Sequence, residues 1–410
     1  MLKGKHILLG ITGGIASYKC ANLVRLFIKE GAEVKVVMTK AAEEFVTAKT
    51  LSVLSKNEVI IDFFDSNNNW NNHVALAEWA DLFIVAPLTA NTLAKFATGI
   101  CDNMLTACYL SARSKVYLAP AMDLDMYQHP TTLKNIETLK SFNNIIINAQ
   151  FGELASGLIG EGRMAEPEFI LDFIKSDLRN KLPLLGKHVL VNAGPTYEAI
   201  DPVRFIGNRS SGKMGVAIAE EFAKQGADVT LVLGPSNQKA IQKNVKTISI
   251  ESANDMLTEC TKAFSNCDIA VLSAAVADYK PTTISDTKIK KKDSELNLEL
   301  TKTVDVLETL GKQKTKQILV GFALETNNVI EYAKEKIVKK NLDFIVANSA
   351  TEKGAGFGVD TNKITIIDKH NKITNFELKT KQEVATDIVT FAIQLLQTKL
   401  SILKLKVINK

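Results

Sequence analysis

The chain has 410 residues, a formal net charge of +5 and 46% apolar residues. That is length for about two domains of roughly 200 residues each, both able to bury a core. The mild positive charge suits anionic small ligands, and no dense basic stripe with interleaved aromatics argues for nucleic acid. The five cysteines (Cys20, Cys101, Cys108, Cys260, Cys267) form no C-x-x-C pair; an odd count without such pairs fits a reducing cytoplasm. No run approaches the ~20 apolar residues of a membrane span, and no cluster of Cys and His suggests a structural metal.

The start, MLKGKHILLGITGG, has an apolar run too short for a signal peptide. Residues 6–12, HILLGIT, read as a buried strand, followed by Gly13-Gly14 and a helical pattern through Ala21, Val24, Leu26 and Phe27. Gly31 ends that helix and EVKVVM (33–38) is the next strand. This is a β-loop-α-β unit with glycines at its first turn, though not in the spacing G-x-G-x-x-G. DLFIVAP (81–87) is another buried strand, PLTANTLAKFATG opens a helix after it, and 115–119 and 145–148 are short strands. The pattern then restarts. KHVLVNA (187–193) is a strand, and Gly226-Ala227-Asp228-Val229 leads into a strand much as Gly31-Ala32-Glu33-Val34 does. Later strands are expected at 268–274, 318–322 and 343–347. Residues 280–316 are Lys-rich and irregular, a candidate flap, and 353–375 suggest a glycine loop and a hairpin.

These alternations predict an α/β protein with two Rossmann-like or flavodoxin-like parallel-sheet domains in tandem, ligands lying at the strand C-terminal ends. The expected domains are 1–180 and 187–400, joined by a linker at 181–186 within a polar stretch that carries Pro183. Residues 401–410 are expected to be a solvated basic tail.

Residues 193–215, AGPTYEAIDPVRFIGNRSSGKMG, read as a loop feeding a helix, with Ser210 or Ser211 as N-cap. Unpaired N–H groups, the helix dipole and Arg204, Arg209 and Lys213 make this a natural anion seat; a loop capped for stability alone is the blander reading. Gly207–Lys213 fits the start of a P-loop. However, Met214 stands where a Mg²⁺-binding hydroxyl belongs, and Asp201-Pro202 interrupts the strand that should lead into the loop.

In the first half GITGGIASYK, VMTKAAEEFV, HVALAEWADLFIVAPLTANTLAKFA, PAMDLDMY and GEGRM resemble the homo-oligomeric flavin-containing cysteine decarboxylases. The second half, with AGPTYEAIDPVRFIGNRSSGKMG, SAAVADYKP, KIKK, GFALETNNVIEYAKEKIVKKNLDFIVAN and GAGFG, resembles phosphopantothenate–cysteine ligases. Together, over roughly residues 5–395, the chain resembles the bacterial bifunctional coenzyme A biosynthesis family, a phosphopantothenoylcysteine decarboxylase fused to that ligase.

For the first half the resemblance implies FMN, with its phosphate near Gly13, Gly14, Ile15, Ala16 and Thr39, and Pro87, Thr89, Ala90, Asn91 and Thr92 lining the flavin. It implies that His73 is the catalytic histidine, a residue type suited to proton abstraction near neutrality. The flavin would oxidise the cysteine part of the substrate to a thioaldehyde, which loses CO₂ and is then reduced again. Two positions depart from the family pattern. Asp123 stands where an asparagine grips the substrate carboxylate, and an ionised Asp repels a carboxylate. Ser156 stands where a cysteine donates the last proton, and a hydroxyl is a far poorer acid than a thiol. From these departures an impaired decarboxylase half is expected. The alternative is a ligase alone, with the first half a flavin-binding oligomerisation or regulatory scaffold.

For the second half the resemblance implies coupling of 4′-phosphopantothenate to cysteine with CTP. The carboxylate attacks the α-phosphate, and the cysteine amine then attacks the acyl-cytidylate. Asn208 would hold that intermediate and Lys288 would serve the second step. Ala274, Ala275, Asp278, Phe322, Lys336, Lys340 and the run Thr303, Val304, Asp305, Val306 would hold the nucleotide, with Mg²⁺ accompanying its triphosphate. By spacing alone Lys336 and Lys340 share a helix face that reads as solvated, and Lys290, Lys291 and Lys292 keep that reading. The resemblance further implies trimers of the flavin half and dimers of the ligase half, giving a dodecamer, with small-molecule substrates and neither nucleic acid nor membrane as partner.

Overall fold

The computed structural model describes residues 1–65, 67–290, 296–325, 329–349 and 358–408. Contacts divide the chain into two compact units, Met1–Asn180 and Lys181–Lys410.

The first unit is built on strands that are apolar on both faces. In β1 (His6–Ile11), Ile7, Leu9 and Ile11 enter one core cluster and Leu8 enters another. A strand buried on both faces needs helices on both, which is the condition for a parallel sheet. Parallel partners follow: β2 (Glu33–Met38), β3 (Val59–Ile60), β4 (Leu82–Leu88), β5 (Lys115–Pro120) and β6 (Ile145–Ile146), in the order β3-β2-β1-β4-β5-β6. A 3-10 turn, Ile15–Lys19, runs into α1 (Cys20–Lys29), whose Leu23, Val24 and Phe27 cover one face with α2 (Ala48–Ser55) and α8 (Pro167–Asn180). On the other face lie α4 (Ala90–Thr98), α5 (Met104–Ser111) and α7 (Pro130–Ser141). Two short helices, α3 (His73–Trp79) and α6 (Leu124–Gln128), and an antiparallel hairpin, β7 (Gln150–Glu153) with β8 (Ile159–Arg163), complete the unit.

The second unit repeats the plan. Its sheet includes β9 (His188–Ala193), β12 (Asp228–Leu233), β13 (Val245–Ser249), β14 (Ile269–Leu272), β17 (Ile318–Glu325) and β18 (Phe344–Ser349), all parallel. An antiparallel hairpin, β20 (Thr365–Asp368) with β21 (Ile373–Asn375), extends it, so the order is β13-β12-β9-β14-β17-β18-β20-β21. Three small ladders lie outside the sheet: β10 (Tyr197–Ala199) with β11 (Phe205–Gly207), β15 (Tyr279–Pro281) with β16 (Leu300–Lys302), and β19 (Thr361–Asn362) with β22 (Lys379–Thr380). Helices α9 (Lys213–Lys224) and α13 (Lys381–Ile408) cover one face; α10 (Ala253–Phe264), α11 (Val306–Gln313) and α12 (Val329–Lys339) cover the other.

Two expectations are revised. The stretch 280–316 is not uniformly irregular: it contains the β15–β16 ladder and α11, because Val306 and Leu310 are apolar one turn apart and reach the core. Helix α13 buries Val384, Ile388, Val389 and Ala392 beside α9, ahead of the expected tail at 401–410. The polar stretch 175–186 is helical as far as Asn180, and its Leu184 is fully buried in the core of the second unit. Lys291, Lys292 and most of the glycine loop at 353–358 lie outside the described residues.

Far from the strand C-terminal ends, one buried carboxylate locks the second unit. Asp343 is 2% exposed. It accepts from the Leu319 N–H at 2.9 Å and pairs with Lys314 at 2.8 Å and with Lys399 of α13 at 3.0 Å. Burial alone would raise its carboxyl, but the Lys314 ammonium leads the interactions that hold it below its ordinary value of 3.8. Asp343→Ala leaves the Lys314 ammonium, 10% exposed, with the Asn341 carbonyl but without its counter-ion, and should cost about 3 kcal/mol. Because the folded-state value is depressed, that contribution is complete above the ordinary carboxylate range and fades as pH falls through the folded-state value. Urea unfolding of the full chain, read through exchange of the β17 and β18 amides, checks both. An unchanged β17–β18 stability in the variant would refute this account.

Candidate functional site

In the first unit the C-terminal ends of β1, β2 and β4 converge. Thr12, just after β1, donates its hydroxyl to the Pro87 carbonyl at 2.7 Å and accepts from the Thr89 N–H at 3.0 Å. This ties the turn holding Gly13, Gly14, Ile15 and Ala16 to Pro87, Thr89, Ala90, Asn91 and Thr92, with Thr89–Thr92 at the head of α4. Gly13 approaches the neighbouring turn closely: a Cβ there would stand 2.8 Å from the Ala41 carbonyl. Thr39 ends β2 beside this turn, its N–H on the Ile11 carbonyl at 2.9 Å. Its hydroxyl is buried without a hydrogen-bond partner.

His73 opens α3, which Asn72 caps by accepting from the Ala75 N–H at 3.0 Å. Its ring meets Phe63 and Trp70 edge-on, at 6.1 and 6.2 Å between centroids, and its Nδ1 is also buried without a partner. Among the described residues no hydrogen bond or ring contact joins His73 to the Gly13 turn.

Asp123 follows β5 and caps α6, accepting from the Leu124 N–H at 2.6 Å. Among the described residues no cation pairs with its carboxylate. The β7–β8 hairpin lies directly on this loop: the Met122 N–H reaches the Gly162 carbonyl at 3.0 Å, and a Cβ on Gly162 would fall 2.3 Å from the Met122 carbonyl. Ser156 is exposed at the hairpin turn, its hydroxyl accepting from the Leu158 N–H at 3.4 Å.

In the second unit a cavity of about 860 Å³ opens at the C-terminal ends of β9, β14 and β17. Of the residues singled out from sequence it brings together Asn208, Ala274, Ala275, Asp278, Thr303, Val304, Asp305, Val306, Phe322 and Lys340. Asn208 donates its amide to two carbonyls, Ala275 at 3.1 Å and Val276 at 3.0 Å, fixing the 207–212 loop against the β14 end. Thr303 donates its hydroxyl to the Ala277 carbonyl, and its N–H reaches the Asp278 carbonyl at 3.0 Å. Asp305 caps α11 and pairs with Lys340 at 2.7 Å. Burial would raise the Asp305 carboxyl, but the Lys340 ammonium and the Glu308 N–H outweigh it and hold it low.

Two expected members do not line the cavity. Lys336 lies one turn back along α12 from Lys340, while Lys339, which sequence reasoning passed over, does line it. Lys288 is exposed outside it. The helix cap also differs: Gly212, at φ +77°, is the N-cap of α9, rather than Ser210 or Ser211. The left-handed turn suits glycine, and Ser236 donates its hydroxyl to the Ser211 carbonyl at 2.7 Å, holding the loop from outside. No side chain caps α9, and its first residues, Lys213, Met214 and Gly215, line the cavity. The β10–β11 ladder stands between β9 and α9, which removes the direct strand-to-loop passage a P-loop needs.

Sequence reasoning also missed Asp201. It is 2% exposed and accepts from the N–H groups of Val203 and Arg204, from the Arg204 guanidinium at 2.6 Å, and from the Ile289 N–H at 3.1 Å. Arg204 in turn donates to the Ile289 carbonyl at 2.7 Å. Burial opposes ionisation of Asp201, yet these donors hold its carboxyl far below the usual range. The residue after Lys288 is thereby pinned to the loop that carries Asn208. Only the local D-P-V-R pattern, an Asp placed to accept from the following turn, signalled it.

The fold defines a two-unit α/β protein, each unit a doubly wound sheet whose strand order reverses once, between β1 and β4 and between β9 and β14. The chain matches the family models "Flavoprotein" over residues 1–179 and "DNA/pantothenate metabolism flavoprotein C-terminal domain" over residues 184–396. It is 44% identical to the coenzyme A biosynthesis bifunctional protein CoaBC of Bacillus subtilis, over 95% of this chain and 97% of that one. The Haemophilus influenzae CoaBC is 43% identical over 96% and 98%. A cysteine/cysteine sulfinic acid decarboxylase of an unknown prokaryotic organism is 53% identical over 84% of this chain and 98% of that protein. The chain belongs to the family of coenzyme A biosynthesis bifunctional proteins. Among the described residues no helix is long and apolar enough to cross a membrane, and no group of three or more His, Cys, Asp or Glu could hold a metal.

Asp201→Ala should free the 285–290 segment without removing any cavity-lining group. The Ile289 amide is expected to exchange about tenfold faster, since local opening no longer breaks the Asp201 bond. Equal protection in both proteins would rule this clamp out.

Proposed function

We propose that this chain carries out two steps of coenzyme A synthesis: CTP-dependent joining of 4′-phosphopantothenate to cysteine, and flavin-dependent decarboxylation of the product to 4′-phosphopantetheine. One observation carries the ligase step. The cavity has the volume of a nucleotide site and is lined by Lys213, Lys302, Lys339, Lys340 and Lys381 around the Asn208 loop and an uncapped helix start. Such a lining can hold a triphosphate and a phosphorylated acid together. The acid's carboxylate attacks the α-phosphorus and pyrophosphate leaves; the cysteine amine then attacks the acyl carbon and CMP leaves. Positioning and charge neutralisation do the work. Mg²⁺ would enter with the nucleotide, held chiefly by its phosphate oxygens.

In the first unit the orphaned Thr39 hydroxyl and the close-packed glycine turn fit the phosphate of FMN. When bound, FMN supplies the oxidation of the cysteine side chain and its later reduction. His73, with a buried ring nitrogen awaiting a partner, would take the substrate proton. Exposed Phe64, Trp70 and Val74 near His73 support cover by another copy of the chain; we assign a trimeric flavin half, a dimeric ligase half and a cytoplasmic home. The domains would be 1–180 and 187–400.

A second reading concerns the substrate of the first unit, and Asp123 favours it. Its carboxylate, unpaired by any described cation, disfavours a bare carboxylate but suits an α-ammonium. N-acylated cysteine lacks that ammonium; free cysteine-type amino acids have it, and one relative is named for acting on them. The flavin half would then also act on free cysteine-type acids.

CTP-dependent release of pyrophosphate, requiring both phosphopantothenate and cysteine, tests the ligase. Asn208→Asp sets a carboxylate against the Ala275 and Val276 carbonyls and should lower kcat/KM about 100-fold; pyrophosphate release independent of the acid would sink the reading. For the flavin half, CO₂ release from cysteine and from phosphopantothenoylcysteine should be compared. Asp123→Asn is expected to shift the ratio about tenfold toward the acylated substrate, and an unchanged ratio would remove Asp123 from substrate selection.

A further inference from the structure

At one edge of the second unit's cavity a lining lysine is already paired with a carboxylate. Lys213, the first residue of α9, reaches Asp360 at 2.6 Å. Asp360 is not a buried structural carboxylate: its side chain is 87% exposed, and the Lys213 ammonium lowers its carboxyl. The backbone beneath it, by contrast, is held hard. The Lys381 N–H bonds the Asp360 carbonyl at 2.9 Å, and the Lys381 ammonium bonds the Val359 carbonyl at 2.6 Å. Lys381 is itself 5% exposed at the start of α13 and lines the cavity with Lys213. Next along the chain, Asn362 is 3% exposed and lines the same wall, its amide 4.0 Å from the Met214 sulfur. An exposed carboxylate on a hydrogen-bonded backbone therefore sits on the cation that opens an uncapped helix.

We propose that Asp360 is a resident stand-in for substrate phosphate. Without ligand, its carboxylate holds the Lys213 ammonium at the start of α9, and an arriving phosphate displaces it into solvent. Lys381 is a positioning residue that keeps the Asp360 backbone within reach. The chemistry of the seat favours this exchange. A phosphate group brings more charge and more acceptor oxygens than a carboxylate, and can meet the helix N–H groups and Lys213 together. The leaving carboxylate is already largely solvated, so releasing it exposes no buried charge. It also gives the site a way to let go of product: as pyrophosphate departs, Asp360 re-forms its pair with Lys213 and competes with rebinding. The inference rests on the ligase reading only for naming the phosphate's owner; the seat itself is defined by Lys213, Asp360 and α9.

The test is calorimetric titration of the full chain with inorganic pyrophosphate, at low salt and without divalent metal. Turnover of CTP by the unaltered chain is measured separately. Asp360→Asn removes the competitor and should tighten pyrophosphate binding about two- to fivefold, the range an exposed ion pair supplies. Lys213→Met should weaken it, and the double variant should lose the gain. In turnover Asp360→Asn should show stronger product inhibition by pyrophosphate. An unchanged or weaker affinity in Asp360→Asn overturns the proposal. If the unaltered chain binds pyrophosphate but does not turn over CTP, the ligase reading fails while the affinity comparison still decides the seat.

Discussion

In both units the ligand edge depends on one buried polar side chain that bridges the reversal of strand order. Where the chain turns from building one side of a parallel sheet to building the other, two neighbouring strands send their loops apart and leave main-chain groups without ladder partners. In the first unit this gap lies between β1 and β4, and Thr12 closes it by donating to the Pro87 carbonyl and accepting from the Thr89 N–H. In the second it lies between β9 and β14, where Asn192 accepts from the Ala274 N–H at 2.9 Å while its own carbonyl takes the Ser273 hydroxyl at 2.6 Å. Each bridge draws a neighbouring loop to the first strand's end. In the second unit main-chain bonding adds to the bridge, the Ala275 N–H donating to the Gly194 carbonyl at 2.9 Å.

The same geometry explains a glycine that packing demands. A Cβ on Gly215 would lie 2.4 Å from the Ala193 Cβ and 2.6 Å from the Ser273 hydroxyl. Helix α9 can therefore approach β9 and β14 only at a residue without a side chain. Because α9 sits that close, its uncapped start opens into the cavity, and its other end packs along α13.

The parallel sheets were legible in the sequence because their strands are short apolar runs followed by turn glycines. HILLGIT and KHVLVNA carry this signal in seven residues each. The PLTANT stretch and the Asn208 loop were legible by resemblance, and each falls at a strand C-terminal end. What was not legible is side-chain reach across distant segments. Lys336 and Lys339 are both plausible from an amphipathic pattern, and only the placement of α12 shows that Lys339 lines the cavity. Ser210 and Ser211 are better N-caps by residue type than Gly212, but a left-handed φ of +77° decides for glycine. Asp201 reads locally as a turn former, and its bond to Ile289, 88 positions away, has no periodic signature.

The two units also treat buried charge in opposite ways, and this bears on what each can bind. In the second unit's cavity Asp305 is engaged by Lys340, and the lining Lys213 is itself paired with Asp360. Its cations outnumber its acids, so an entering polyanion meets net positive charge without forcing a carboxylate to give up its proton. In the first unit the conspicuous groups are unpartnered, the Thr39 hydroxyl and the His73 Nδ1, and Asp123, beside the hairpin, has no counter-ion among the described residues. Those groups leave hydrogen-bonding capacity in the first unit that a ligand carrying its own donors and acceptors would satisfy, whereas the lysines of the second unit's cavity call for negative charge.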